Sequence, residues 1–387
     1  MDFDLNETQK LFKSSARELF AQECPPEAVR AMIENGEPYP EALWQKLVEQ
    51  GWTGLIFDEA DGGMGLGYVE MAVAFEEMGR ALVPGAFLST VPLAGSLIAA
   101  AGNEAQRGQY LKAICDGKAK ATVALLEAGG DWDLDAVQLQ AVESGSGLTL
   151  NGTKLFVGDA GAVDYLITAA RLGSDVALAV VESRAPGLTV KPMPSMDATR
   201  HLYEVTYDAV EVAAADVLAR GEAARQALRQ ALDVATVALA AEMVGGMQWV
   251  LDATVEYAKT RKQFGKAIGQ FQAIQHHCAD MLLLTESARS AVYYAAWQMG
   301  NGAEEAPVAV SVAKAYVSDA CREVGNLGIQ VHGGIGFTWD EPLHFYYKRA
   351  KASELMFGDA TFHRERLARL VIDAAAEPAK AARGSGD

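Results

Sequence analysis

Two runs of this chain carry residue types suited to chemistry. The first, YAKTRKQFGKAIGQFQAIQHHCADM (257–281), holds Arg261, Gln263, Phe264, Phe271 and Gln272; the second, QVHGGIGF (330–337), holds Gln330, His332, Gly333 and Gly334. An arginine offers a planar fork of donors that matches a phosphate. A phenylalanine can pack against a ring system, and Gly333-Gly334 lets backbone approach an anion closely because no Cβ intervenes. Lys259, Lys262 and Lys266 surround Arg261 and make the one dense basic run of the chain. The chemistry this points to is the holding of a phosphate-bearing ligand. A plainer account is a solvated helix end followed by an ordinary turn. The joint presence of QFG, FQ and the paired glycines argues for the ligand.

The elements that must position these residues follow from hydrophobic period. From Glu7 to about Gly117 apolar residues recur at helical spacing, as in YVEMAVAFEEMGRALV. Near Ala119 the period changes to short β-branched runs: ATVALLEA, AVQLQAV, LTLNGTKLFV, YLITAA, VALAVVES and HLYEVTYDAVEV. Asn151-Gly152 predicts a two-residue hairpin between LTL and TKLFV, since a type I′ turn needs positive φ at both positions. From about Gly221 helical period returns in three long runs, with glycine at their expected stops. Four segments result: a helical 1–118, a β domain 119–220, a helical bundle 221–375 and a flexible tail 376–387.

Composition narrows the class. With 33 basic against 51 acidic residues the 387-residue chain carries a formal charge of −18, which opposes a general nucleic-acid or anionic-membrane surface. Half of it is hydrophobic and 22% charged, the balance of a folding globule. Cys24, Cys115, Cys278 and Cys321 form no CxxC pair, so free thiols in a reducing compartment are expected. The acidic start MDFDLNETQKLF has no leader pattern and no window reaches about 18 unbroken apolar residues, so the expected location is the cytoplasm, off the membrane. His276 and His277 are adjacent on a helix and point apart, so no metal is expected there. Trp339, Phe345, Tyr346 and Tyr347 are expected in the core or a subunit contact.

The two runs resemble the C-terminal signatures of the acyl-CoA dehydrogenase family, and LVEQGWTGLIFDEADGGMGLG, AFEEMGRAL and KLFVGDAGAVDYLITAAR resemble its N-terminal and middle domains. The resemblance spans nearly the whole chain. It implies an α+β fold: a helical N-terminal domain, a middle β-barrel and a C-terminal four-helix bundle. It also implies FAD as cofactor, with Arg261, Gln263, Phe264, Phe271, Gln272, Gln330, His332, Gly333 and Gly334 reaching the pyrophosphate and adenine half of a flavin in a neighbouring subunit. The implied reaction is α,β-dehydrogenation of an acyl-CoA thioester, with an electron-transfer flavoprotein as acceptor. A carboxylate removes the Cα proton while hydride leaves Cβ.

Departures from the family pattern fall on that carboxylate. Counting from Gly336 places Phe357 where the usual glutamate stands, within LMFGD, and counting back from Arg261 places Ala235 at its less common position. Glu242 and Asp359 are the nearest alternatives, although a helix contact for the first and a cap or turn for the second explain them as well. The family's TEPxAGSD-like run reads LEAGGDWD, keeping Glu127 but with Leu126 and Trp132 in place of hydroxyls, and the loop after Met196 reads DATRHLYEV. Some family members are α₂β₂ heterotetramers acting on steroid side-chain or dicarboxylic acyl-CoA substrates, in which one subunit type lacks the base and completes FAD binding for the other. This chain resembles that subunit. The alternatives are a self-sufficient homotetramer with a relocated base, and a flavin monooxygenase or nitroalkane oxidase-like member of the fold.

Overall fold

A computed structural model describes residues 4–36, 40–132, 134–145 and 147–373; the expected tail 376–387 lies outside them. The helices are α1 (Glu7–Glu23), α2 (Pro26–Asn35), α3 (Glu41–Glu49), α4 (Tyr68–Arg80), α5 (Ser96–Ala101), α6 (Glu104–Gln106), α7 (Lys112–Cys115), α8 (Gly221–Thr260), α9 (Gln272–Gly300), α10 (Ala306–His332), α11 (Leu343–Leu355) and α12 (Ala360–Ala368). The strands are β1 (Ala121–Ala124), β2 (Gln140–Ser144), β3 (Gly147–Gly158), β4 (Tyr165–Leu172), β5 (Asp175–Glu182), β6 (Leu188–Met193), β7 (Leu202–Val212), β8 (Val217–Arg220), β9 (Lys262–Gln263) and β10 (Lys266–Ala267). The described residues pack as two units, one drawn from 1–22, 68–82 and 236–387, the other from 23–67 and 83–235.

The second unit is built on an eight-stranded mixed sheet ordered β6-β7-β3-β2-β4-β5-β8, with β1 pairing in parallel with β4. Its core gathers Leu148, Leu150, Val157, Leu166, Val205 and Val210 from alternate positions of facing strands. The buried Tyr207 hydroxyl meets Thr168 Oγ1 at 2.7 Å, so a polar group crosses this core with a partner. The hairpin expected at Asn151-Gly152 does not form. Both residues lie inside the continuous β3, where the pairing with β7 shifts register between Leu150 and Gly152 and Gly152 takes φ +140. Asn151 Oδ1 accepts from Ala209 N at 2.9 Å, which uses the side chain to stabilise a bulge rather than a turn. Two strands unnoticed in the sequence, β6 and β8, form the sheet's ends.

The first unit is helical. Helix α8 is long and apolar enough to cross a bilayer, yet 83% of its most apolar window is buried inside the protein, as befits the central helix of a bundle. It crosses α4 at glycines: a Cβ on Gly79 would stand 1.9 Å from Glu242 O, and one on Gly245 1.8 Å from Glu76 O. The α1–α4–α9 packing buries Glu76 and Glu77. Lys13 Nζ donates to Glu76 Oε1 at 2.8 Å, Tyr293 OH to Glu76 Oε2 at 2.7 Å, and Arg17 to both oxygens of Glu77 at 2.8 and 2.9 Å. Burial works to raise Glu76, but the cations of Lys13 and Arg289 outweigh it and hold the carboxyl below its ordinary range.

Candidate functional site

Where α8 ends, Ile268 N donates to Arg261 O at 2.8 Å and closes a small hairpin of β9 against β10, with Lys266 opposite Gln263. Its two-residue turn is Phe264-Gly265, both left-handed at φ +53 and +80. This is the turn geometry the sequence suggested at Asn151-Gly152, formed instead where only the second position is glycine. A left-handed residue with a side chain costs about 1 to 2 kcal/mol. The Phe264 ring lies 91% exposed and meets Phe271 edge-on at 6.1 Å, while Lys266 Nζ sits 4.2 Å over the Phe271 ring.

Helix α9 then begins at Gln272 with Phe271 at its N-cap, which supplies no side-chain acceptor to the first amides. Helix α10 ends at His332, and Gly333 follows at φ +64, ψ −145, a conformation open essentially to glycine alone. A small apolar cluster of Ala258, Ile268 and Val331, flanked by Tyr257, Phe271 and Ile274, joins the ends of α8 and α10 to the start of α9. The two signature runs, 73 residues apart from Tyr257 to Gln330 in the chain, therefore share one corner. Tyr257, which the sequence did not single out, stacks on His332 at 4.3 Å.

That corner fits a dinucleotide. Among the described residues none forms a hydrogen bond or ion pair with the guanidinium of Arg261 or the amine of Lys262, and Gln272 and Gln330 are exposed. A Cβ built at Gly265, Gly333 or Gly334 would meet nothing within 4 Å. Unpaired cations, a helix start without a side-chain cap, open glycine backbone and an exposed ring suit phosphates and an aromatic base. Arg261, Lys262, the α9 amides and the glycines would hold the diphosphate, and Phe264 the ring.

The positions expected to bear a base are hydrocarbon. Ala235 is fully buried on α8, and Phe357 is buried in the turn between α11 and α12 at φ +60, followed by Gly358 at +96. The turn itself is firmly held. Lys314 Nζ donates to Ser318 Oγ at 3.1 Å, Glu354 O at 3.0 Å and Gly358 O at 2.8 Å, and His363 Nε2 donates to Phe357 O at 3.0 Å. Burial pushes the Lys314 amine down to about 7 and the His363 imidazole down to about 3. Neither residue stood out in the sequence, because all but one of these partners are backbone carbonyls.

Both alternative carboxylates are engaged elsewhere. Glu242 Oε1 accepts from Arg349 Nη1 at 2.5 Å, with both side chains buried. Asp359 is the N-cap of α12, its Oδ1 accepting from Phe362 N at 2.8 Å. In the second unit Glu127 is likewise internal, taking Gln138 N, Leu139 N and the buried Lys154 amine at 3.0, 2.9 and 2.6 Å, while Leu126 is buried. Trp339, Phe345 and His344 pack on one another; Phe345 and Tyr346 are buried and Trp339 is exposed.

Comparison with known proteins identifies the family. Residues 224–372 match the model for the acyl-CoA dehydrogenase C-terminal domain and residues 6–118 that for the N-terminal domain. The chain is similar to acryloyl-CoA reductase (NADH) of Anaerotignum propionicum, 30% identical over 382 residues that cover 96% of each. Among solved structures it is similar to butyryl-CoA dehydrogenase from Megasphaera elsdenii, with a TM-score of 0.91 at 28% identity over 96% of this chain and all of that one. It is also similar to a chain of the ChsE4-ChsE5 complex from Mycobacterium tuberculosis, at TM-score 0.87 and 27% identity over 95% of this chain and 98% of that one. The chain belongs to the acyl-CoA dehydrogenase family, FAD-dependent oxidoreductases acting on CH-CH bonds.

Proposed function

We propose that this chain is the FAD-completing, base-lacking subunit of a heterotetrameric acyl-CoA dehydrogenase. The observation that carries the reading is an asymmetry of side chains: the corner at Arg261, Phe264, Gln272 and Gly333 is open and unpaired, whereas Ala235 and Phe357 are hydrocarbon and Glu242 and Asp359 are bound to internal partners. FAD held there would supply the acceptor for the hydride leaving Cβ of an acyl-CoA while a base removes the Cα proton. This chain supplies the phosphate and adenine contacts; the proton acceptor comes from a second acyl-CoA dehydrogenase-like chain, and electrons pass to an electron-transfer flavoprotein. Similarity to a relative solved as a complex of two differently named chains supports that arrangement.

The test measures FAD content and acyl-CoA-dependent dye reduction of the purified chain, alone and co-expressed with a family member that carries the glutamate. The expected result is little turnover alone and restored turnover together, with native mass reporting two chains of each kind. Full flavin loading and turnover by the lone chain would overturn the proposal and favour the homotetramer.

A further inference from the structure

Two basic residues hold the turn between α11 and α12, and neither has a counter-charge in contact. Lys314 is fully buried, its Nζ meeting Gly358 O at 2.8 Å, Glu354 O at 3.0 Å and Ser318 Oγ at 3.1 Å. Among the described residues no carboxylate forms an ion pair with it. The carbonyls only accept, whereas the Ser318 hydroxyl accepts or donates. A neutral amine is therefore satisfied in full: its two hydrogens serve the carbonyls and its lone pair takes the Ser318 hydrogen. An ammonium is bonded no more completely and bears the cost of a buried charge. His363 is 1% exposed, and its Nε2 lies 3.0 Å from Phe357 O, so that nitrogen carries a hydrogen. Its Nδ1 is buried with no hydrogen-bond partner. A proton added there would be a buried donor without an acceptor.

The surrounding charges do not reverse this preference. Asp359 of α12, Glu354 of α11 and the Cys321 thiol of α10 act on Lys314, and α9, which also packs on α10, supplies no such group among the described residues. Both carboxylates have other partners: Glu354 accepts from Arg322 and Lys351, and Asp359 from Phe362 N. On His363, Lys314 and Arg366 oppose a positive ring, while the Phe357 carbonyl and Asp359 favour it. Burial outweighs the favourable contacts in both cases.

We infer that turn 356–359 is an acid-labile latch, closed on Lys314 and His363 as neutral groups, whose opening frees Phe357 from the core and is driven by proton uptake on either residue. An open turn brings both side chains to water, so the open form takes the proton first. Closed, Lys314 sits at about 7 against 10.5 in water, and His363 at about 3 against 6.5. The opening constant therefore rises as pH falls from 10.5 to about 7 through Lys314, and from 6.5 to about 3 through His363. Phe357, left-handed at φ +60, adds strain that opening relieves.

Hydrogen exchange of the purified full chain, read by mass spectrometry on peptides across 354–363 and corrected for the intrinsic rate at each pH, measures that constant. It is expected to rise up to about tenfold per unit as pH falls from about 9 to about 7, and again from about 6 to about 5. His363→Gln keeps a donor for Phe357 O without a titrating ring, and should remove the lower step alone. Lys314→Met should remove the upper step alone. Circular dichroism checks that each variant folds, and the two wild-type steps decide the matter if one does not. An opening constant level within about twofold over the whole range would overturn the inference. So would exchange of these peptides only together with the rest of the helical bundle, or either step surviving the substitution of its residue.

Discussion

Replacing Glu242 separates a structural carboxylate from a catalytic one. Its Oε1 accepts from Arg349 Nη1 at 2.5 Å, with the two side chains 7% and 6% exposed. Glu242→Gln removes a counter-charge from the buried Arg349 guanidinium, a loss of up to about 3 to 5 kcal/mol. Arg349→Met removes the cation from the buried carboxylate and loses a similar amount. Changing both together, Glu242→Met with Arg349→Leu, removes both desolvated charges and is expected to restore most of the stability. The reporter is close at hand: Trp249 stacks on Tyr346 at 3.9 Å, and Tyr346 and Arg349 line the same small cavity as Glu242. Urea unfolding read by tryptophan fluorescence and circular dichroism should show both single variants displaced to lower urea, with the double variant near the wild type. Unfolding of Glu242→Gln within about 0.5 kcal/mol of the wild type, together with loss of a turnover that the lone wild-type chain possesses, would refute the reasoning and make Glu242 a proton acceptor.

Phe264→Gly removes a left-handed side chain at a cost in backbone entropy of similar size, so the thermal midpoint should barely move, while FAD retention falls several-fold through the lost ring contact; equilibrium dialysis measures it. Gly79→Ala and Gly245→Ala each drive a Cβ to within 2 Å of a backbone oxygen across the α4–α8 crossing, and each should abolish soluble expression or shift melting markedly downward. Glu76 is held below its ordinary range, so its contribution is fully present above the unfolded value of 4.5 and is lost as pH falls through the folded one, the unfolded chain binding the proton first. Acid titration followed by circular dichroism should show Glu76→Gln with a weaker pH dependence below about 4.5 than the wild type.

Long helices were legible because their apolar residues repeat at 3.6 over many turns, and α8, α9 and α10 fall where the period places them. Local turn chemistry was not a safe guide. Asn151-Gly152 has the stronger turn composition, but pairing of β3 with both β2 and β7 recruits it into a bulge. Phe264-Gly265 has the weaker composition, yet the ends of α8 and α9 come together and force the chain to reverse there. Edge strand β6 alternates for only four residues before Pro192 and buries none of them fully, and β8 is four residues long, so neither carries a run long enough to stand out. The corner's residues were visible as types at a spacing, whereas the Tyr257 stack, the Glu242 to Arg349 pair and the Lys314 contacts depend on partners far along the chain, which no local pattern encodes.

Strain gives an independent argument for what lies over the corner. Phe264 and Phe357 are both left-handed non-glycine residues, but their surroundings differ. Phe357 is buried, and the donors of Lys314 and His363 fix the carbonyls of its turn, so the fold itself supplies what holds that conformation. Phe264 is 91% exposed on a hairpin of two short strands, with a single edge-on ring contact to Phe271. Such a contact contributes about 1 kcal/mol, no more than the cost of the conformation it accompanies. An exposed aromatic held at that cost adds no net stability to its own chain. The same holds for Arg261 and Lys262, whose charges find no partner among the described residues, and for the start of α9, which has no side-chain cap. Groups of this kind gain their stabilisation from outside the chain, and a diphosphate with an aromatic base supplies an anion for the cations and amides and a face for the ring. That complementarity, more than any one residue, is what the proposed half-site rests on.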